Sequence, residues 1–106
     1  MTTLSTHVLD AALGVPATAL TVTLHDPEGR LMTTGTTDAD GRVGFDLELG
    51  GGTHRLVFAT GAYFAAADRD TFYPEVSVSF AVDVEQSHYH VALLLSPFAY
   101  TTYRGS

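Results

Sequence analysis

The sequence predicts an all-β fold, an eight-stranded β-sandwich with one short helix. Three observations predict it. Most of the chain alternates apolar and polar residues with period two, as a strand with one buried face does. Turn chemistry separates the alternating runs at Asp26-Pro-Glu-Gly29, Asp38-Ala-Asp-Gly41 and Gly50-Gly-Gly52. Only one window, Gly61 to Asp68, reads as helix, because it is rich in Ala and lacks β-branched residues. The number and spacing of the runs suit a sandwich.

The elements follow in order. Leu4 to Asp10 is a strand, with Leu4, Thr6 and Val8 on one face and Ser5, His7 and Leu9 on the other. Ala11 to Thr18 reads as a loop, punctuated by Gly14 and Pro16. Ala19 to His25 buries Leu20, Val22 and Leu24. Leu31 to Thr37 is Thr-rich and suits a sheet edge. Arg42 to Leu49 turns Val43, Phe45 and Leu47 inward and Arg42 outward. His54 to Thr60 is rich in Val, Leu and Phe. The helical window is about two turns long, too short to stand alone, and must pack on a sheet. Val76 to Val84 alternates most clearly, with Val76, Val78, Phe80 and Val82 inward. His88 to Leu95 sets Tyr89, Val91, Leu93 and Leu95 against His88 and His90. Ser96-Pro97 breaks the chain before a last strand, Ala99 to Arg104.

At 106 residues the chain is one domain, long enough to bury a substantial core. Its net charge of −7 with no Lys argues against nucleic acid and anionic membrane surfaces, which demand clustered cations. Without Cys there is no disulfide, zinc–thiolate site or thiol nucleophile. No apolar run is long enough to span a bilayer. No signal-peptide pattern opens the sequence, so a cytoplasmic location is expected.

The polar faces carry the chemistry. The first strand offers His7, the fourth Arg42, and the seventh His88 and His90. The last strand offers either Tyr100, Thr102 and Arg104 or Ala99, Thr101 and Tyr103, and periodicity alone does not choose. If these strands share a sheet, imidazoles, a guanidinium and a phenol meet on one outer face. Such a set suits hydrolysis of a polarised carbonyl. Neutral imidazole accepts a proton from water near neutral pH. Arg grips a planar, oxygen-rich substrate and stabilises oxyanion charge. His88 lies about 7 Å along the strand from His90 and is expected to make rim hydrogen bonds. His25 and His54 border turns and are expected to be solvated, as is Asp68-Arg-Asp70.

The sequence resembles the transthyretin-related 5-hydroxyisourate hydrolases of purine catabolism over its whole length. The resemblance is carried by Leu4-Ser-Thr-His-Val-Leu-Asp10, Gly61-Ala-Tyr-Phe64, Phe72-Tyr-Pro-Glu-Val76 and above all His88 to Ser106. The ending Tyr103-Arg-Gly-Ser106 is the family's hallmark and separates its enzymes from the hormone-carrying transthyretins. The resemblance implies a transthyretin-like sandwich and a homotetramer, a dimer of dimers with active sites in the channel between dimers. It implies hydrolytic opening of the six-membered ring of 5-hydroxyisourate to a ureidoimidazoline carboxylate, without metal or cofactor. Carried over residue by residue, it makes His7, Arg42 and His90 catalytic. His7, Arg42, Tyr103, Arg104 and Ser106 become the substrate contacts, and the phase of the last strand is settled in favour of Tyr103. Ala92 departs from the family's usual Pro, which restores a backbone donor and removes ring bulk.

Two other readings use the same residues. His7 with the His88-x-His90 pair has the makings of a three-imidazole metal site. Alternatively, the domain is a non-catalytic carrier holding a small aromatic ligand in the channel, as transthyretins do.

Overall fold

The computed structural model describes residues 1–105, so Ser106 lies outside the described residues. Two sheets face each other. The first contains β1 (Thr3–Asp10), β2 (Val15–Pro16), β5 (Arg42–Phe45), β8 (His88–Leu95) and β9 (Tyr100–Gly105). The second runs β4 (Leu31–Thr36), β3 (Thr21–His25), β6 (Gly52–Phe58), β7 (Val76–Val82). The helix α1 (Thr60–Ala66) connects β6 to β7.

Within the first sheet, β1 and β8 are parallel over eight positions, from Thr3 beside His88 to Asp10 beside Leu95. All other pairs are antiparallel. The far edge of β1 is shared: β5 takes Leu4 to His7, and β2 takes Leu9 and Asp10. The segment expected to be a plain loop therefore contains a two-residue strand.

The alternation decides the core. Leu4, Val8, Leu20, Val22, Leu24, Leu56, Phe58, Leu93 and Leu95 are almost wholly enclosed. Thr6 joins them by donating its hydroxyl to the Val91 carbonyl at 2.7 Å, which satisfies a polar group that is costly to bury alone. Val78 and Phe80 are only half-buried, because β7 is a sheet edge. The Thr-rich β4 is an edge too, as expected.

Element ends move where local geometry overrides periodicity. Ala19 sits at φ 58, outside the strand region, so β3 begins at Thr21. β5 stops at Phe45, where the Leu47 amide turns back to the Phe45 carbonyl; Leu49 is still buried and bonds Thr2.

Two expectations of solvation are overturned. His54 shares its face with Leu56 and Phe58, so alternation carries it inward. It is 1% exposed, and its Nδ1–H donates to the Gly52 carbonyl at 3.2 Å. Arg69 folds back from the helix exit onto Asp10, with Nη1 2.6 Å from Oδ2. The helix closes with Asp68 at φ 54, and the amides of Asp68 and Arg69 return to the carbonyls of Ala65 and Phe64. That left-handed cap aims Arg69 across the Phe64 ring. Asp10 is fully enclosed and also accepts from Tyr63 and the Leu13 amide. Burial pushes its carboxyl up, but the hydrogen bonds from Arg69, Leu13 and Tyr63 outweigh this and hold it below its ordinary value.

Candidate active site

The outer face of the first sheet gathers His7 and Ser5 from β1, Arg42 from β5, and His88 and His90 from β8. Register explains the gathering. His7 lies beside both Arg42 and Ala92, and Ser5 beside both Gly44 and His90. Residues paired across a ladder share a face, so these side chains project together. The His7 and His90 rings stand 6.5 Å apart, centroid to centroid. An open groove of about 460 Å³ is lined by Ser5, Arg42, Gly44, His88 and His90 among others.

The Asp38–Gly41 turn builds one wall. The Asp38 carboxylate accepts the amides of Asp40 and Arg42 at 2.9 and 3.0 Å, and these bonds hold its pKa below the ordinary value. Gly41 adopts φ 76, and a Cβ there would strike the Val8 carbonyl, so the turn requires glycine. This rigid turn presents Arg42 and also its Asp40 carbonyl, 2.8 Å from His7 Nε2. A carbonyl only accepts, so His7 Nε2 carries the proton and neutral His7 keeps its lone pair on Nδ1.

His90 is held from both sides. Ser5 Oγ lies 2.7 Å from its Nδ1. On β9, Gly105 is its ladder partner, and the ring packs directly against the Gly105 backbone. The His90 pKa lies below its ordinary value, first because burial disfavours the imidazolium, then because His7, His88 and Arg42 repel it. A neutral imidazole that shares a groove with a guanidinium can take a proton from water while the cation faces the charge that develops.

The remaining predicted residues divide. Tyr103 pairs with Ala92 and so lies on the face of His90, the phase expected for it, with 53% of its surface exposed. Arg104 pairs with Val91 and lies on the opposite face, its guanidinium 4.9 Å above the Tyr89 ring. It lines one pocket with His90 and Tyr103 and another with His88 and Gly105. Ser106 lies outside the described residues. Sequence reading passed over Ser5 as a site residue, although its shared face with His7 was the available signal. It also gave Gly105 no role of its own.

The three outer imidazoles do not converge as ligands would. Both ring nitrogens of His88 face hydroxyls, Nδ1 to Thr3 at 2.6 Å and Nε2 to Ser5 at 2.9 Å. Among the described residues no group of three His, Asp or Glu side chains is arranged to hold a metal ion.

Comparison with known proteins agrees with this fold. The model of the HIUase/Transthyretin family matches residues 4–105. The chain belongs to that family. A relative named 5-hydroxyisourate hydrolase 2, from Rhizobium meliloti, is 46% identical over 97% of this chain and 95% of its own length. The solved structure of Klebsiella pneumoniae 5-hydroxyisourate hydrolase superposes with a TM-score of 0.91 at 39% identity, covering 100% of this chain and 94% of that one. Sea bream transthyretin in complex with thyroxine superposes with a TM-score of 0.88 at 33% identity, covering 96% and 93%. Within the family, the chain is thus similar both to hydrolases and to a thyroxine-binding member.

Proposed function

We propose that this protein hydrolyses 5-hydroxyisourate, opening its six-membered ring in the degradation of urate. The observation that carries the reading is a neutral, doubly clamped His90 that shares one open groove with Arg42, with the His7 ring 6.5 Å from it. The named hydrolases among its relatives support it.

In the proposed mechanism His90 takes a proton from water through Nε2. The water oxygen bonds to a ring carbonyl carbon, and Arg42 neutralises the charge that develops on the carbonyl oxygen. The ring C–N bond then breaks, and the His90 proton passes to the departing nitrogen. His7, its Nε2–H committed to Asp40, offers the Nδ1 lone pair to orient the water. No step calls for a metal. Tyr103 lines the substrate wall, Arg104 shapes β9 through Tyr89, and Ser106, outside the described residues, is proposed as a substrate contact on the family resemblance alone.

The active unit in this reading is a homotetramer, a dimer of dimers with sites at the dimer–dimer interface, in the cytoplasm. The unpaired edges β7 and β9 support association. Between them opens a groove of about 250 Å³ lined by Val78, Phe80, Tyr89 and Arg104 among others. Light scattering at working concentration tests the tetramer.

The deciding experiment mixes the protein with 5-hydroxyisourate freshly made by urate oxidase and follows the decay of its absorbance. Acceleration over buffer is expected, and an unchanged decay overturns the reading. The similarity to a thyroxine-bound transthyretin keeps the carrier as the second reading. Tight thyroxine binding without hydrolysis would establish it instead.

A further inference from the structure

Behind His90, on the side away from the groove's reacting nitrogen, four groups form a continuous line. Ser5 Oγ is 2.7 Å from His90 Nδ1 and 2.9 Å from His88 Nε2. His88 Nδ1 is 2.6 Å from Thr3 Oγ1, and the Thr3 hydroxyl donates to the Ser87 carbonyl at 3.5 Å. The parallel register of β1 and β8 makes this line. Thr3 sits beside His88 and Ser5 beside His90, so hydroxyls and imidazoles alternate down one face.

We propose that Ser5 is a positioning residue for His90, and that the Thr3–His88–Ser5 line locks His90 in the tautomer protonated on Nδ1, with its lone pair on Nε2. The direction of the line supplies the argument. The Ser87 carbonyl can only accept. In the proposed sense Thr3 donates to it and accepts from His88 Nδ1–H. His88 Nε2 is then a lone pair and accepts from the Ser5 hydroxyl. Ser5, its single proton used, accepts from His90 Nδ1–H. Every hydroxyl in the line donates once and accepts once or more, so each donor has an acceptor. What is left over is the His90 Nε2 lone pair, which among the described residues has no hydrogen-bond partner. The reverse sense, in which Thr3 gives its one proton to His88 Nδ1 across 2.6 Å, puts the His90 proton on Nε2 and is the outcome that overturns the proposal.

The lock matters because neutral imidazole in water favours the proton on Nε2, the wrong tautomer for a base acting through that atom. It also needs two imidazoles, not one. Ser5 alone can swivel and accept or donate, and His88 removes that freedom. This gives the His88-x-His90 spacing a purpose that substrate contact does not supply.

The proposal rests on the hydrolase reading only for its kinetic consequence. The tautomer itself is read without substrate, by two-bond proton–nitrogen correlation of the histidine rings in uniformly labelled protein at pH 8. His90 protonated on Nδ1 in the wild type, shifting to Nε2 in Ser5→Ala, is the expected result. In the urate-oxidase-coupled assay Ser5→Ala should lower kcat about tenfold with KM little changed, part of the roughly hundredfold or more that a positioned proton-transfer group contributes. Ser5→Thr, which keeps the hydroxyl, should restore both tautomer and rate. Wild-type His90 protonated on Nε2 overturns the proposal, and so does a Ser5→Ala protein with unaltered tautomer and kcat. If Ser5→Ala does not fold, the wild-type spectrum and Ser5→Thr decide it. If the wild type shows no hydrolysis, the functional reading falls while the tautomer measurement still stands.

Discussion

His90 packs against Gly105 so closely that the ring occupies the space a Cβ at that position would need. The two are ladder partners on β8 and β9, and the ring's Cγ would sit only 3.2 Å from such an atom. Gly105 is therefore a steric seat for the His90 imidazole.

Gly105→Ala should push the His90 ring off that seat and away from Ser5. A displacement of about an ångström at a reacting group can cost on the order of a hundredfold in rate. A fall of tenfold or more in kcat/KM is expected, with stability lowered by about 1–3 kcal/mol for overpacking. Kinetics and urea titration on the same preparation check it; full activity would refute the seat.

The pH dependence of kcat/KM reports the free enzyme's base. The His90 pKa is lowered, so its neutral form persists below the ordinary value of 6.5. The rate should rise with pH through a midpoint below 6.5 and then level. Arg42→Gln removes one repelling cation, so the midpoint should move up toward that value while KM rises. A midpoint unmoved by the substitution would remove Arg42 from the field at His90.

His90→Asn should abolish most of the rate, because it deletes the base while keeping a polar side chain of similar reach. By contrast, exhaustive dialysis against a chelator should leave activity unchanged, since no step of the proposed mechanism passes through a metal. Loss on chelation with recovery on adding zinc would revive the three-imidazole reading.

Asp10 and Arg69 predict a separate, structural pH effect. A carboxylate with a depressed folded pKa contributes stability above its unfolded value and loses it as pH falls through the folded one. The wild type should therefore lose stability below about the ordinary 3.8, and Asp10→Asn should be flatter there. At neutral pH, Arg69→Ala leaves an enclosed carboxylate without its cation and should cost about 3 kcal/mol. Thermal melts across pH 3 to 7 measure both.

The strands and their phases were legible because alternation reports burial directly, as in Tyr89, Val91, Leu93 and Leu95 against His88 and His90. The same rule would have carried His54 inward with Leu56 and Phe58, but its place beside the Gly-rich loop obscured it. Register was not legible. Nothing local in residues 3–10 says that they pair in parallel with residues 88–95, so the placing of Ser5 between two imidazoles could not be read. Arg69 was misleading for a related reason. Its flanking acids suggested a solvated exit, while its partner, Asp10, lies 59 positions away in sequence. Arg104 and Tyr103 lie on opposite faces of β9, as the alternation of the last strand predicts.

The parallel pairing of β1 with β8 joins residues 85 apart in sequence, Ser5 to His90 among them. Such a loop must close before any of its contacts repay the lost entropy, which makes this pairing a slow, late event in folding. On the ribosome, β1 waits without its central neighbour until β8 has been made. Catalysis is then a readout of completed folding: recovered activity in a refolding experiment should trail the return of secondary structure, and no partly assembled sandwich should turn over substrate.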